Sequence, residues 1–236
     1  MSTAARDLIW QPSLLDADPE PEIDETFAGA VRIQLDPRGD GGCPPDNGGG
    51  SRQGTSWIER VPGWVAGSDA LFDHLVQAAD WGQRTRKMWD QEVLEPRLTS
   101  GWGAESGRPL EPPILERMRR ALSERYGVEF DSMGLNLYRD GRDSVAWHGD
   151  RIAREIAEPL VAIVSVGEPR RFLLRPKAAT DGRRAAHRLV LGRGELLVTG
   201  GATQRAWEHS VPKVASAGPR MSLTFRHGLL PVNSLT

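Results

Sequence analysis

The stretch Arg220-Met221-Ser222-Leu223-Thr224-Phe225-Arg226 alternates without a break. A period of two places Met221, Leu223 and Phe225 on one side of a strand and Arg220, Ser222, Thr224 and Arg226 on the other. Working back toward the N-terminus, the same period recurs at 132–138, 160–166, 171–174, 188–191, 195–198 and 207–211. Gly, Pro and Asp cluster between these segments. Many short strands with turn signals predict a barrel or jelly roll. Upstream the period is helical. Ser68 is expected to cap a helix with Leu71, Phe72, Leu75, Val76 and Ala79 on one face. A second helix follows Pro112-Pro113, presents Ile114, Leu115, Met118 and Leu122, and stops at Gly127. The fold class is therefore α+β and mainly β: a double-stranded β-helix with two helices packed on its outside.

Before those helices, 31–35 and 56–61 read as strands, and the glycine-rich segment 39–54 reads as a flexible insertion. It lacks the G-x-x-x-x-G-K-[ST] pattern of a phosphate loop. Two units are expected: an acidic and glycine-rich extension over 1–54, and one folded domain over 55–230 with its jelly-roll core at about 130–228. The net charge of −2 hides an asymmetry. Residues 1–60 hold 5 Lys and Arg against 11 Asp and Glu, and the rest of the chain is mildly basic. That balance is compatible with a phosphate-bearing partner and equally with an ordinary solvated surface. Mean hydropathy is −0.44 and no apolar run approaches the ~20 residues of a membrane span. The N-terminus shows no secretory pattern, and Cys43 stands alone, so a cytoplasmic protein is expected, with no membrane association and as a monomer.

The strand faces point to chemistry. An arginine turned into a barrel is a buried cation that needs an anion, and a dicarboxylate can supply one through a bidentate fork. Asn136 and Tyr138 share a face opposite Leu135 and Leu137. They stand 12 and 10 residues before His148, which opens the motif His148-Gly149-Asp150; His209 follows far along the chain. Two imidazoles and a carboxylate split as H-x-D…H are the parts of a facial triad for non-haem Fe(II), which leaves the opposite face open to a co-substrate and O2. One strand end and its turn can present the first two ligands, and a distant strand must return the third.

Several further segments resemble the AlkB family of Fe(II)- and 2-oxoglutarate-dependent dioxygenases. They are Leu135-Asn136-Leu137-Tyr138-Arg139-Asp140-Gly141, Asp143-Ser144-Val145-Ala146-Trp147-His148-Gly149-Asp150, Trp207-Glu208-His209-Ser210-Val211-Pro212 and Pro219-Arg220-Met221-Ser222-Leu223-Thr224-Phe225-Arg226. Upstream, Glu95-Pro96-Arg97-Leu98-Thr99 is also similar. The likeness covers roughly residues 55–228.

The resemblance implies that His148, Asp150 and His209 ligate iron. It also implies that Arg220 grips the distal carboxylate of 2-oxoglutarate, with Asn136, Tyr138 and the residue at Ser222 helping to bind it. Arg226 would organise the substrate side. Residues 81–103 would form a nucleotide-recognition lid, extending to about 110, with Met88 and Trp89 as its substrate contacts. The implied reaction is oxidative demethylation of bases such as N1-methyladenine and N3-methylcytosine in DNA, and in RNA, which repairs alkylation damage. Such bases carry positive charge and are buried in a duplex, so the enzyme must act on single strands or flip the base.

Two positions depart from the family pattern. Ser222 replaces an Asn that family members often carry, and Ile152 replaces an acidic residue that reads the base, with Glu155 as a substitute. The same oxidative engine acting on a small molecule or protein stays open at this point, as does a non-enzymatic nucleic-acid binder on a decayed barrel. Elsewhere, His74 and His187 are expected at the surface, His227 at the barrel rim, and Trp147 and Trp207 in barrel packing. Arg170-Arg171 either touches nucleic acid or neutralises Glu168.

Overall fold

The structure is a computed structural model that describes residues 20–36, 55–88, 91–150, 156–177 and 187–228. The glycine-rich segment 39–54 with Cys43, and also Trp89, Ile152 and Glu155, lie outside the described residues. In chain order the elements begin with β1 (Glu22–Ile23), β2 (Val31–Gln34), β3 (Trp57–Val61), β4 (Val65–Ala66) and α1 (Ser68–Ala78). Next come β5 (Thr85–Met88), β6 (Gln91–Leu94), β7 (Leu98–Gly103), α2 (Pro113–Tyr126), β8 (Ser132–Tyr138) and β9 (Val145–His148). The chain continues through β10 (Val161–Gly167), β11 (Arg170–Pro176), β12 (His187–Leu191), β13 (Glu195–Gly200), the short α3 (Thr203–Ala206), β14 (Trp207–Val211) and β15 (Arg220–Arg226).

The strands assemble into two facing antiparallel sheets. The larger has the order β2-β3-β13-β10-β15-β8-β7 and the smaller β12-β11-β14-β9. This is the jelly roll expected from the strand pattern. The alternation in β15 sorts as read. Met221, Leu223 and Phe225 face outward into a core shared with Leu71, Phe72, Leu115, Met118 and Leu122 of the helices. The opposite face of the large sheet packs onto the small one through Ile58, Val161, Ile163, Leu197, Phe172, Leu174, Leu191 and Trp207. β10 and β13 are central and buried on both faces at every position. That is why they read as nearly continuous apolar runs instead of alternating.

Helix ends follow local rules, with one correction. Ser68 does not cap α1 but is its first residue. Gly67 holds the cap position at φ 60°, a left-handed conformation glycine adopts without steric cost, and no side chain bonds the exposed amides. In α2, Pro113 opens the helix, and Gly127 closes it at φ 66° by donating its N–H to the Ser123 carbonyl.

The segment expected to form a lid divides. Trp81 is buried and donates its indole N–H to the Val76 carbonyl at 3.0 Å. Leu98 is fully buried, and β7 pairs with β8 along its whole length as the edge of the large sheet. Apolar anchors therefore tie both ends of the segment to the core. What projects is the β5–β6 hairpin, with Val93 and Leu94 exposed. Among the described residues no helix is long and apolar enough to cross a membrane.

Helix α2 carries an acid clamp. Glu116 accepts from Arg119 and Arg120 at 2.8 Å each, and Arg119 also reaches the Phe130 carbonyl ahead of β8. Those guanidinium bonds lower the Glu116 carboxyl from 4.5 to about 2 against a smaller opposing effect of burial. A depressed carboxyl stabilises the fold above its unfolded value, and that contribution is lost as pH falls through the folded value. Urea midpoints of wild type and Glu116→Gln should therefore diverge at neutral pH and converge between pH 4.5 and about 2.

Candidate metal and co-substrate site

β9 is the edge strand of the small sheet and pairs with β14, setting His148 directly across from His209. A register shift follows between His209 and Val211. The chain then leaves β9 through Gly149, and Asp150 reaches the same hollow. One donor atom from each of His148, Asp150 and His209 lies within 4.8 Å of the others. His148 Nδ1 sits 2.8 Å from the Ala146 carbonyl, which selects the tautomer that donates from Nδ1 and leaves Nε2 free to ligate. The His209 ring stacks on Phe172 at 5.0 Å between centroids and 18° between planes, which fixes its tilt.

The electrostatics suit a cation. The Asp150 side chain is 4% exposed. Burial would raise its carboxyl, but the Arg226 guanidinium, with His209 and His148, outweighs that effect and brings it to about 2. Arg226 donates to Asp150 Oδ1 from Nε at 3.1 Å and from Nη2. Asp150 Oδ2 is buried without a hydrogen-bond partner, 3.7 Å from His209 Nε2. Burial lowers His209 to about 4, so at neutral pH the set is one carboxylate with a neutral His209 imidazole, the forms that bind metal. The donors fit a ferrous ion in type and convergence, and the orphaned Oδ2 is the atom such an ion would satisfy.

A second polar cluster lies on the inner face of the large sheet. β15 pairs with β8 so that Arg220 stands opposite Tyr138 and Ser222 opposite Asn136. Arg220 is 1% exposed, donates from Nη2 to Ser165 Oγ at 2.7 Å, and lies 5.1 Å from the Tyr138 ring centroid. Its Nε is buried without a partner. Among the described residues no carboxylate pairs with it, so it is a desolvated cation without a carboxylate counter-charge. Asn136 Nδ2 sits 3.5 Å from Ser222 Oγ, a long contact that reflects the short reach of the hydroxyl. Seven of the residues singled out from sequence, His148, Asp150, His209, Asn136, Tyr138, Arg220 and Ser222, together with Arg226, thus fall in these two clusters. Met88 closes β5 on the hairpin, away from these clusters in the chain, and Trp89 lies outside the described residues.

Several side chains escaped the sequence reading. Ser165 interrupts the apolar run of β10, and a polar residue inside a buried strand is itself a signal for a partner. Arg97, in the Glu95–Thr99 segment, donates to Asn136 Oδ1 at 3.0 Å and pairs with Glu95. Arg170 corrects the earlier expectation: it is 3% exposed and reaches neither solvent nor Glu168. It donates to the carbonyls of Asp140, Asp143 and Pro212, and Arg193 takes Glu168 instead. The cause is topology, since β11 starts between the turn after β8 and the end of β14. His187 is another correction: it is half-buried against Trp207 at 5.5 Å. Trp207 is core, as read, whereas Trp147 is half-exposed beneath the Arg175 guanidinium at 4.2 Å. His74 is exposed, and His227 accepts the Leu160 N–H outside the metal hollow.

Residues 75–226 match the 2OG-Fe(II) oxygenase superfamily. The chain is 34% identical over 193 residues to the alpha-ketoglutarate-dependent dioxygenase alkB homolog 3 of Homo sapiens, covering 75% of this chain and 68% of that one. It belongs to the AlkB family. A second AlkB-family relative, the DNA oxidative demethylase ALKBH2 of Arabidopsis thaliana, is 33% identical over 191 residues, covering 66% of this chain and 60% of that protein. The solved structure of OsALKBH1 shares the fold with a TM-score of 0.53 at 16% identity, over 72% of this chain and 96% of that one. As an AlkB-family protein the chain is an Fe(II)- and 2-oxoglutarate-dependent dioxygenase that consumes O2. The converging donor set and the buried Arg220 are at odds with a decayed barrel.

A buried guanidinium without a counter-charge costs stability, so replacing it with an apolar side chain of similar length should not harm the fold. Arg220→Met is expected to match or exceed the wild-type thermal midpoint in the ligand-free chain. A fall of several degrees would show that Arg220 is already fully compensated.

Proposed function

We propose that this chain removes methyl groups from ring nitrogens of nucleobases, such as N1-methyladenine and N3-methylcytosine, in DNA and in RNA, and so reverses alkylation damage. The observation that carries the reading is the placement of three metal-type donors beside a buried, unpaired arginine on adjoining inner faces of one jelly roll. The kinship with a DNA oxidative demethylase supports the substrate class. In this reading His148, Asp150 and His209 hold the iron, and Arg220 holds the distal carboxylate of 2-oxoglutarate by a charge-assisted fork. Asn136, Tyr138 and Ser222 complete that pocket.

Bound iron, with 2-oxoglutarate and O2, supplies the oxidation of the N-methyl carbon; the hydroxylated product breaks down to formaldehyde and the unmodified base. The chain's own residues hold and orient. Arg226 keeps Asp150 ionised and aims one oxygen at the hollow. Phe172 locks His209. The packed sheets exclude water, which strengthens every charge interaction inside. The methylated edge of a base is inaccessible in a duplex, so the substrate enters from a single strand or as a flipped nucleotide. The β5–β6 hairpin, with Met88 at the end of its first strand, is the substrate-side element, and one copy of the chain suffices.

Single- and double-stranded oligonucleotides carrying each methylated base, incubated with iron, ascorbate and 2-oxoglutarate, should release formaldehyde and lose 14 mass units per lesion, about one methylene, by mass spectrometry. His148→Ala should abolish the release. Arg220→Met should raise the KM for 2-oxoglutarate on the order of 100-fold, in keeping with loss of a charge-assisted pair of about 3 kcal/mol. Succinate formation without demethylation of any oligonucleotide would redirect the reading to a small-molecule or protein substrate.

A further inference from the structure

Between the two motif halves lies a buried amide that the reaction does not call for. Gln204, on α3, is 4% exposed. Its Oε1 accepts the backbone N–H of Asp150 at 3.2 Å, and its Nε2 donates to Thr199 Oγ1 at 2.7 Å. The Thr199 hydroxyl in turn lies 3.4 Å from the Val161 carbonyl, which can only accept. The hydroxyl proton is therefore committed to Val161, the hydroxyl oxygen must accept from Gln204, and the amide is left with its oxygen facing Asp150. The direction of three hydrogen bonds is fixed by one carbonyl on β10.

α3 is itself held firmly. Thr203 Oγ1 donates within reach of the Gly200 and Trp57 carbonyls at 2.6 and 3.0 Å, and it accepts the Trp57 N–H at 3.0 Å. The helix presses on the motif turn: a Cβ on Gly149 would meet the Gln204 carbonyl oxygen and Lys177 Nζ at 3.2 Å each. Lys177 bonds that same carbonyl at 2.9 Å. Arg226 donates to the Asp150 side chain, and the Asp150 backbone N–H donates to Gln204.

We infer that Gln204 is a positioning residue for the metal site, oriented by Thr199, that sets the backbone of Asp150 so that its carboxylate meets the two imidazoles. The inference rests on the reading of Asp150 as an iron ligand. Groups that hold a ligand in place change metal affinity about 10–100-fold when removed.

The test is Mn(II) binding to the full metal-free chain, followed by electron paramagnetic resonance, with thermal midpoints measured in parallel. Gln204→Met keeps the volume and removes the acceptor; it should weaken Mn(II) binding about tenfold. Gln204→Glu restores an acceptor for the Asp150 N–H and should recover most of that loss. Thr199→Val leaves Gln204 in place but frees its amide to turn, and should weaken binding in the same direction by a smaller factor. Asp150→Ala separates the two readings. If it binds Mn(II) as wild type does, the triad assignment fails and the inference with it. If Asp150→Ala loses binding while Gln204→Met does not, only the positioning role is overturned. Equal losses in Gln204→Met and Gln204→Glu would also overturn it, since they would trace to packing and not to the acceptor. Should Gln204→Met fail to fold, unchanged affinity in Thr199→Val overturns the inference.

Discussion

A carboxylate taken out of water stays ionised only where cations answer it. Asp150 lies between two sheets with almost no solvent contact, and Arg226 reaches it from the far end of β15. That ion pair joins the small sheet's edge to the large sheet's centre. It depends on strict alternation in β15, because a slip of one residue would turn Arg226 outward and Phe225 into the hollow. The same alternation turns Arg220 inward at the other end of the strand. One register thus turns Arg226 toward the Asp150 carboxylate and Arg220 toward Ser165 and Tyr138.

How much of this was legible depended on whether a residue's role was local or topological. β8, β10, β14 and β15 were readable because each strand's own pattern states its faces. The metal-donor set was readable because His148 and Asp150 are neighbours and His209 stands in a recognisable strand. Arg170 was not readable. Its three carbonyl partners come from Asp140, Asp143 and Pro212, far apart in the chain, and nothing near Arg170 announces them. His187 misled for a similar reason: its solvent-like sequence neighbourhood hides a long-range contact with Trp207. Trp81 and Leu98, at either end of the hairpin, owe their burial to α1 and β8, contacts that their own neighbourhood does not announce.

The departure at Ser222 has a geometric counterpart. Its hydroxyl and the Asn136 amide stand at the limit of hydrogen bonding, while Arg97 already occupies Asn136 Oδ1. Asn136 is therefore oriented from β7's leading segment instead of from β15. The polar contact to Asn136 is thus supplied from a different side, beside the edge strand.

The way the β5–β6 hairpin is attached has a consequence for how such a protein can diversify. Trp81 and Leu98 are riveted into the core on either side of it, and Gly82 bridges to Thr99 at its base. Among the described residues the hairpin's own strands, Thr85–Met88 and Gln91–Leu94, pair only with each other, so a change confined to them shifts no register in the two facing sheets. This outer arm can therefore vary in sequence as a detachable head while the strands that carry His148 and His209 keep their pairing.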